Sequence, residues 1–143
     1  MKRKALVVLL CMVFIGNAFS LDVGFLSVRE IKAYCERILT HMRNGEIESA
    51  FELIKSQWLF PKEEIDSVHE KTVSQLDNLE NRFGRPLDVT AIGEEHIGEI
   101  VIRLTYVIKH ERHLIRWVFM FYKPKNKWIL NSFKWDDKID ELF

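Results

Sequence analysis

From Ser27 onward the apolar residues recur at steps of three and four. Val28, Ile31, Tyr34, Cys35, Ile38, Leu39 and Met42 fall on one stripe, which predicts an amphipathic helix. Ser27 and Glu30 have the S-x-x-E spacing of a capping box, in which each side chain satisfies a backbone N–H at the helix start. Asn44-Gly45 stops the helix, since glycine suits the left-handed position after a C-terminus. A second, shorter helix is predicted from about Glu46 to Gln57, with Ile47, Ala50, Phe51 and Ile54 inward. Trp58, Leu59 and Phe60 then lead to Pro61, a good first-turn residue, and Glu63 and Glu64 favour the start of a third helix. Its stripe is Ile65, Val68, Thr72, Leu76, Leu79 and Phe83, and Gly84-Arg85-Pro86 ends it.

Beyond Pro86 the period changes from 3.6 to 2. Four strands are predicted, over Leu87–Glu95 with a bulge or bend at Gly93, then Glu99–Lys109, Leu114–Lys123 and Trp128–Asp136. Turns this short make an antiparallel meander. A turn at His110–His113 sets Tyr106 opposite Trp117, Leu104 opposite Phe119 and Ile102 opposite Phe121. These large apolar pairs share one side, which must face the helices. The other side, with Val101, Arg103, Thr105, Val107, Leu114, Arg116, Val118, Met120 and Tyr122, is half apolar and suggests a dimer contact. In the fourth strand, either Ile129, Phe133 and Trp135 or Trp128, Leu130 and Ser132 point inward.

The start of the chain reads differently. Lys2, Arg3 and Lys4 precede an apolar run from Ala5 to Ile15, and Ala18 and Ser20 are small residues at the −3 and −1 positions of a cleavage site. That is the pattern of a secretory signal peptide over residues 1–20. The run is too short to span about 30 Å of hydrocarbon, so no stable membrane anchor is expected after cleavage near Ser20. Lipid attachment at Cys11 is disfavoured because Leu10, just before it, is not small. The expected product, 21–143, is a single domain ending in an acidic amphipathic tail, exported to the periplasm or beyond.

Composition is that of a globular protein, with 48% apolar and 29% charged residues. The 143-residue chain balances 21 Lys+Arg against 21 Asp+Glu. Residues 1–20 hold three of the cations and no anion, so the expected product carries 18 against 21, a net of −3. A mildly acidic surface excludes sequence-independent nucleic-acid binding as the leading function. Cys35 alone remains among the cysteines, so no internal disulfide forms, and its place on the apolar stripe makes it a buried, inert thiol.

Three helices followed by a long meander make an α+β chain with segregated elements. The order resembles the cone-shaped, cystatin-like fold of the nuclear transport factor two-like superfamily. Gly45 with Ala50-Phe51 resembles the turn into that superfamily's second helix. Lys127-Trp128-Ile129-Leu130 followed by Phe133-x-Trp135 resembles its terminal strand, and Thr72–Gly84 looks like its uncharacterised secreted bacterial members. The resemblance implies a curved sheet wrapped on the helices, an apolar pocket at the open end and frequent dimers. It implies no single reaction, because one fold hosts many functions.

Enzymes of that superfamily place an acidic base and an oxyanion donor inside the cone. The inward positions expected on the second and third strands, Ile102, Leu104, Tyr106, Trp117, Phe119 and Phe121, include no Asp, Glu or His. The leading expectation is therefore a non-enzymatic binding protein with no cofactor, holding a small apolar ligand or an envelope protein partner. Tyr34, Trp58, Tyr106 and Trp117, large flat side chains with one polar atom each, are the expected ligand-binding residues. The alternative is an isomerase- or dehydratase-like enzyme, needing an acid or base near Tyr106, with His69 or His41 the nearest candidates. His110-x-x-His113 is too small a set for zinc, and His96 lies about 35 Å away at strand rise, so the pair reads as a polar hairpin tip. Glu94-Glu95 and Asp136-Asp137 read as solvated strand ends.

Overall fold

The computed structural model describes residues 23–143, so the expected signal peptide and Cys11 lie outside the described residues. The architecture is α+β, with three helices followed by a four-stranded antiparallel sheet in the order β1-β2-β3-β4. The helices are α1 (Val28–Arg43), α2 (Ile47–Gln57) and α3 (Lys62–Phe83). The strands are β1 (Pro86–Ile97), β2 (Val101–His110), β3 (Leu114–Tyr122) and β4 (Ile129–Asp136), followed by a single 3-10 turn at Ile139–Leu142.

The Ser27 hydroxyl caps α1 by accepting the Glu30 N–H. The reciprocal half of the box is displaced by one residue, because the Glu30 carboxylate accepts from Leu26 N–H rather than from Ser27. The α1 stripe from Ile31 to Met42 is buried against the sheet and α2. Cys35 is fully buried there, and loss of solvation pushes its thiol well above its ordinary pKa.

The β2–β3 register is the one expected, with Tyr106 opposite Trp117, Leu104 opposite Phe119 and Ile102 opposite Phe121. These six side chains are buried on the helix-facing side. In β4 both candidate sets contribute. Met120 pairs with Ser132 but Phe121 pairs with Leu130, so Asn131 is the extra residue of a β-bulge. Phe133 and Trp135 therefore share the helix-facing side with Leu130 and Trp128. A second bulge separates Ala91 from Gly93 in β1.

Both ends of the fold are tied by long-range contacts. Phe25 exchanges two backbone hydrogen bonds with Trp128, at 2.9 and 2.8 Å, extending the sheet beyond β4. The β2–β3 turn is not a free polar tip, because it docks on the end of α3. Arg112 donates from its backbone N–H to Phe83 O and from its guanidinium to Arg82 O and Asn81 O, which satisfies the last carbonyls of that helix. His113 packs edge-on against Phe83, and a His110 ring nitrogen bonds Gly84 O at 2.9 Å.

The outer side of the sheet is covered in part from within. Arg116 sits there only 7% exposed, with Val107 and Val118 buried beside it. Its guanidinium forks onto the Asp136 carboxylate and also reaches the Glu141 side chain and the Glu141 carbonyl. Asp136 is thus no solvated strand end but the anchor of the tail.

Candidate functional site

The four aromatic residues expected around a ligand are dispersed. Tyr34 and Tyr106 belong to the core. The Tyr34 hydroxyl donates to Leu53 O at 3.0 Å, fixing α1 to α2, and burial pushes its pKa far above the ordinary value. Tyr106 packs edge-on against Phe119. Burial raises its pKa, as do the charges of Cys35, Glu36 and Glu94 nearby.

Trp58 stands at the exit of α2, where its N–H still bonds Ile54 O and its indole N–H donates to Asn131 O at 3.3 Å. It forms a parallel bridge with Leu130 and so covers part of the β4 edge. The acceptor it uses belongs to the bulge residue. Beside it opens an apolar groove of ≈ 380 Å³, walled by Tyr122, Pro124, Ile129 and Leu130 and overhung by Leu59 and Phe60. Leu59 is 67% exposed and Phe60 47%. The chain reaches these positions because Pro61 starts α3 at once, leaving the Trp58–Phe60 segment no helix in which to bury itself.

Trp117 is at a different opening, a cleft of ≈ 230 Å³ between the start of α2, the far half of α3 and the sheet. Its ring stacks on Phe133 at 5.8 Å and tilts against Trp135 at 5.7 Å. Trp135 donates its indole N–H to Thr72 Oγ1 across to α3. The Trp117 indole N–H is shut off from solvent and has no acceptor among the described residues.

The histidines considered as bases, His41 of α1 and His69 of α3, each sit beside a glutamate at the start of α2. His41 pairs with Glu46 at 2.5 Å, and His69 stacks on Phe51 with Glu48 3.2 Å from its Nε2. A different cluster lies on the sheet. The β1 bulge turns Glu94 and His96 to the helix-facing side, opposite Leu104 and Ile102, and sends Glu95 outward to Arg103. Glu94 binds Lys32 of α1 and lies 2.9 Å from His96 Nε2, and bonds from Lys32 and then His96 hold its carboxyl below the ordinary range. Glu94 and Glu95 are both solvated, as expected, but Glu94 also ties β1 to α1, and Gly93 marks the bulge at which the faces exchange.

Among the described residues no group of three or more His, Cys, Asp or Glu is placed to hold a metal ion, and no helix is long and apolar enough to cross a membrane. Compared with protein-family models, with curated proteins and with solved structures, the chain gives no match.

Proposed function

We propose that this chain is an exported, non-enzymatic binding protein whose apolar groove beside Trp58 receives a small apolar ligand. The observation that carries the reading is the groove itself, ≈ 380 Å³ with a mostly apolar wall that includes Trp58, Phe60 and Tyr122. Burying Leu59 and Phe60 would contribute about 1.5–3 kcal/mol for each side chain fully removed from water. Export rests on the basic, apolar and small-residue sequence of residues 1–20. Membership of the nuclear transport factor two-like superfamily is part of the same proposal and rests on the order of helices and strands.

Titration with 1-anilinonaphthalene-8-sulfonate tests the groove. Saturable fluorescence enhancement, weakened about tenfold by Trp58→Ala or Phe60→Ala in folded protein, is expected. Absence of saturable binding, or binding indifferent to both substitutions, would overturn it. Export is tested by the mass of the protein recovered from the cell envelope, which should begin at Leu21.

Two features favour other readings. The exposure of Leu59 and Phe60 also suits an apolar segment of an envelope protein or a second copy, and light scattering with and without Phe60→Glu separates these from a small ligand. The Glu94–His96 pair near Tyr106 favours a proton-transfer enzyme, in which His96 would carry the proton and Glu94 orient it. That reading fails if the unaltered protein isomerises Δ5-androstenedione no faster than buffer does, or if His96→Ala isomerises it as fast as the unaltered protein.

A further inference from the structure

All four strands share one end of the sheet, where several apolar side chains stay in water. Ile97 of β1 stands opposite Val101, Val101 opposite Tyr122, and Tyr122 opposite Ile129, a row across the four strands. The two turns at this end are tied by the bond from Lys123 N–H to Ile100 O. The Phe25–Trp128 and Trp58–Leu130 bridges bring the segment before α1 and the α2–α3 corner to the same place. Of the ten large apolar side chains exposed among the described residues, Leu26, Leu59, Phe60, Ile97, Ile100 and Tyr122 lie here. Ile97 is 68% exposed and Ile100 53%, and neither walls the Trp58 groove. A gathering of this kind marks a surface that is covered in use.

The charge beside it is positive and local. Lys123-Pro124-Lys125-Asn126-Lys127 forms the β3–β4 turn with three lysines and no acid. Lys123 lies over the Trp128 ring, Lys125 is exposed, and neither is in an ion pair among the described residues. Against them stand Glu99 in the other turn, Glu64 near Phe60, and Glu30, whose carboxylate is taken up by Leu26 N–H. Apolar side chains beside a basic turn match a bilayer surface that carries negative lipid, where the apolar groups enter the interface and lysines meet phosphates. A second copy docked on this end would bring the two basic turns toward each other, which like charge opposes.

The described chain also begins here. Gly24 N–H donates to Gln57 Oε1 at 2.8 Å, next to the Phe25 bridge. Only residues 16–23 separate Gly24 from the apolar run Ala5–Ile15. So short a stretch reaches about 30 Å when fully extended. With that run in the membrane during export, this end is the part of the domain held close to the bilayer.

We propose that this end of the sheet docks on a bilayer containing anionic lipid, with Ile97 and Ile100 in the interface and Lys123 and Lys125 against the lipid phosphates. Such docking is reversible and needs no spanning helix. It goes beyond the groove reading, which concerns a small ligand, although Leu59 and Phe60 belong to both surfaces.

Protein recovered from the cell envelope is sedimented with phosphatidylcholine vesicles, with and without about 30% phosphatidylglycerol. Binding is expected to the anionic vesicles and to be lost in about 0.5 M sodium chloride. Lys123→Gln combined with Lys125→Gln should weaken it about twentyfold. Ile97→Ser combined with Ile100→Ser should weaken it about tenfold. All four positions are at least partly exposed, so these variants keep the fold. Equal binding to both kinds of vesicle, no binding to either, or binding left intact by either double variant would overturn the proposal. So would a dimer formed without vesicles and split by the isoleucine variant, because a second copy then covers this end. The isoleucine variant should still bind 1-anilinonaphthalene-8-sulfonate at the groove, so failure with vesicles leaves the groove reading standing.

Discussion

The guanidinium of Arg116 lies buried on the outer side of the sheet and grips the carboxylate of Asp136 through two of its nitrogens. The two residues face each other across the β3–β4 ladder, and the same guanidinium holds the tail through Glu141. Removing one partner of a buried pair leaves the other charge uncompensated, which costs more than the pair itself contributes. Arg116→Ala should therefore destabilise the protein by about 3 kcal/mol. Urea unfolding measures it, and hydrogen exchange should show early release of residues 138–142.

The same pair sets an acid limb of stability. Burial pushes the Asp136 carboxyl up, but the bonds from Arg116 and from Lys138 N–H outweigh it and hold the group below the ordinary range. A carboxyl depressed in the folded state contributes stability that is fully present above its unfolded value, near 4, and is lost as pH falls through the folded value. Between about pH 4.5 and pH 2.5 the unaltered protein should lose more stability than Asp136→Asn does, read as the difference in urea midpoints.

Gly84 ends α3 with φ at +82°, and a Cβ there would come within 2.5 Å of a Glu111 carboxylate oxygen and 2.8 Å of Glu111 Cβ. Left-handed backbone and a steric clash act together. Gly84→Ala should cost about 2 kcal/mol, and adding Glu111→Ala should recover part of it, measured by thermal unfolding.

Trp117→Phe should change stability by less than about 1 kcal/mol, because it removes an unbonded donor and keeps most of the apolar volume. Trp117→Ala should cost about 3–5 kcal/mol. Near-equal losses in the two variants would mean that the indole N–H is bonded after all.

Deleting Asn131 should be tolerated. Without it, Leu130, Ser132 and Phe133 alternate in, out and in, which is the regular pleat. Trp58 loses the carbonyl that it donates to, so its fluorescence should shift while cooperative unfolding persists. Deleting Lys134 instead puts Trp135 out of phase with Phe133 and should abolish cooperative unfolding.

The elements that were legible in the sequence are those set by local rules. The α1 stripe needs only a 3.6 period, and the β2–β3 register follows from the turn at His110–His113 together with the coincidence of three large apolar pairs. The two bulges were not fully legible. Gly93 marked a break in β1, yet that the break would carry Glu94 and His96 to the helix-facing side depends on pairing with β2. In β4 the pattern offered two phases, and only the extra residue at Asn131 shows why each is right for half of the strand. Contacts between residues distant in sequence were the least legible. Arg112 sits in a polar turn and gives no sign that it caps a helix 30 residues earlier. Trp117 could be placed on the inner side, but its missing acceptor is a property of its surroundings in three dimensions.

The bridge between Phe25 and Trp128 also orders events in time. The meander pairs neighbours in the chain, so its hairpins close short loops and form early. The Phe25 bridge closes a loop of about 100 residues for two hydrogen bonds, and its entropic cost is recovered only when the rest of the core is already in place. In folding, the segment around Phe25 therefore docks late, and a partner that engages it beforehand competes with Trp128 for its backbone groups.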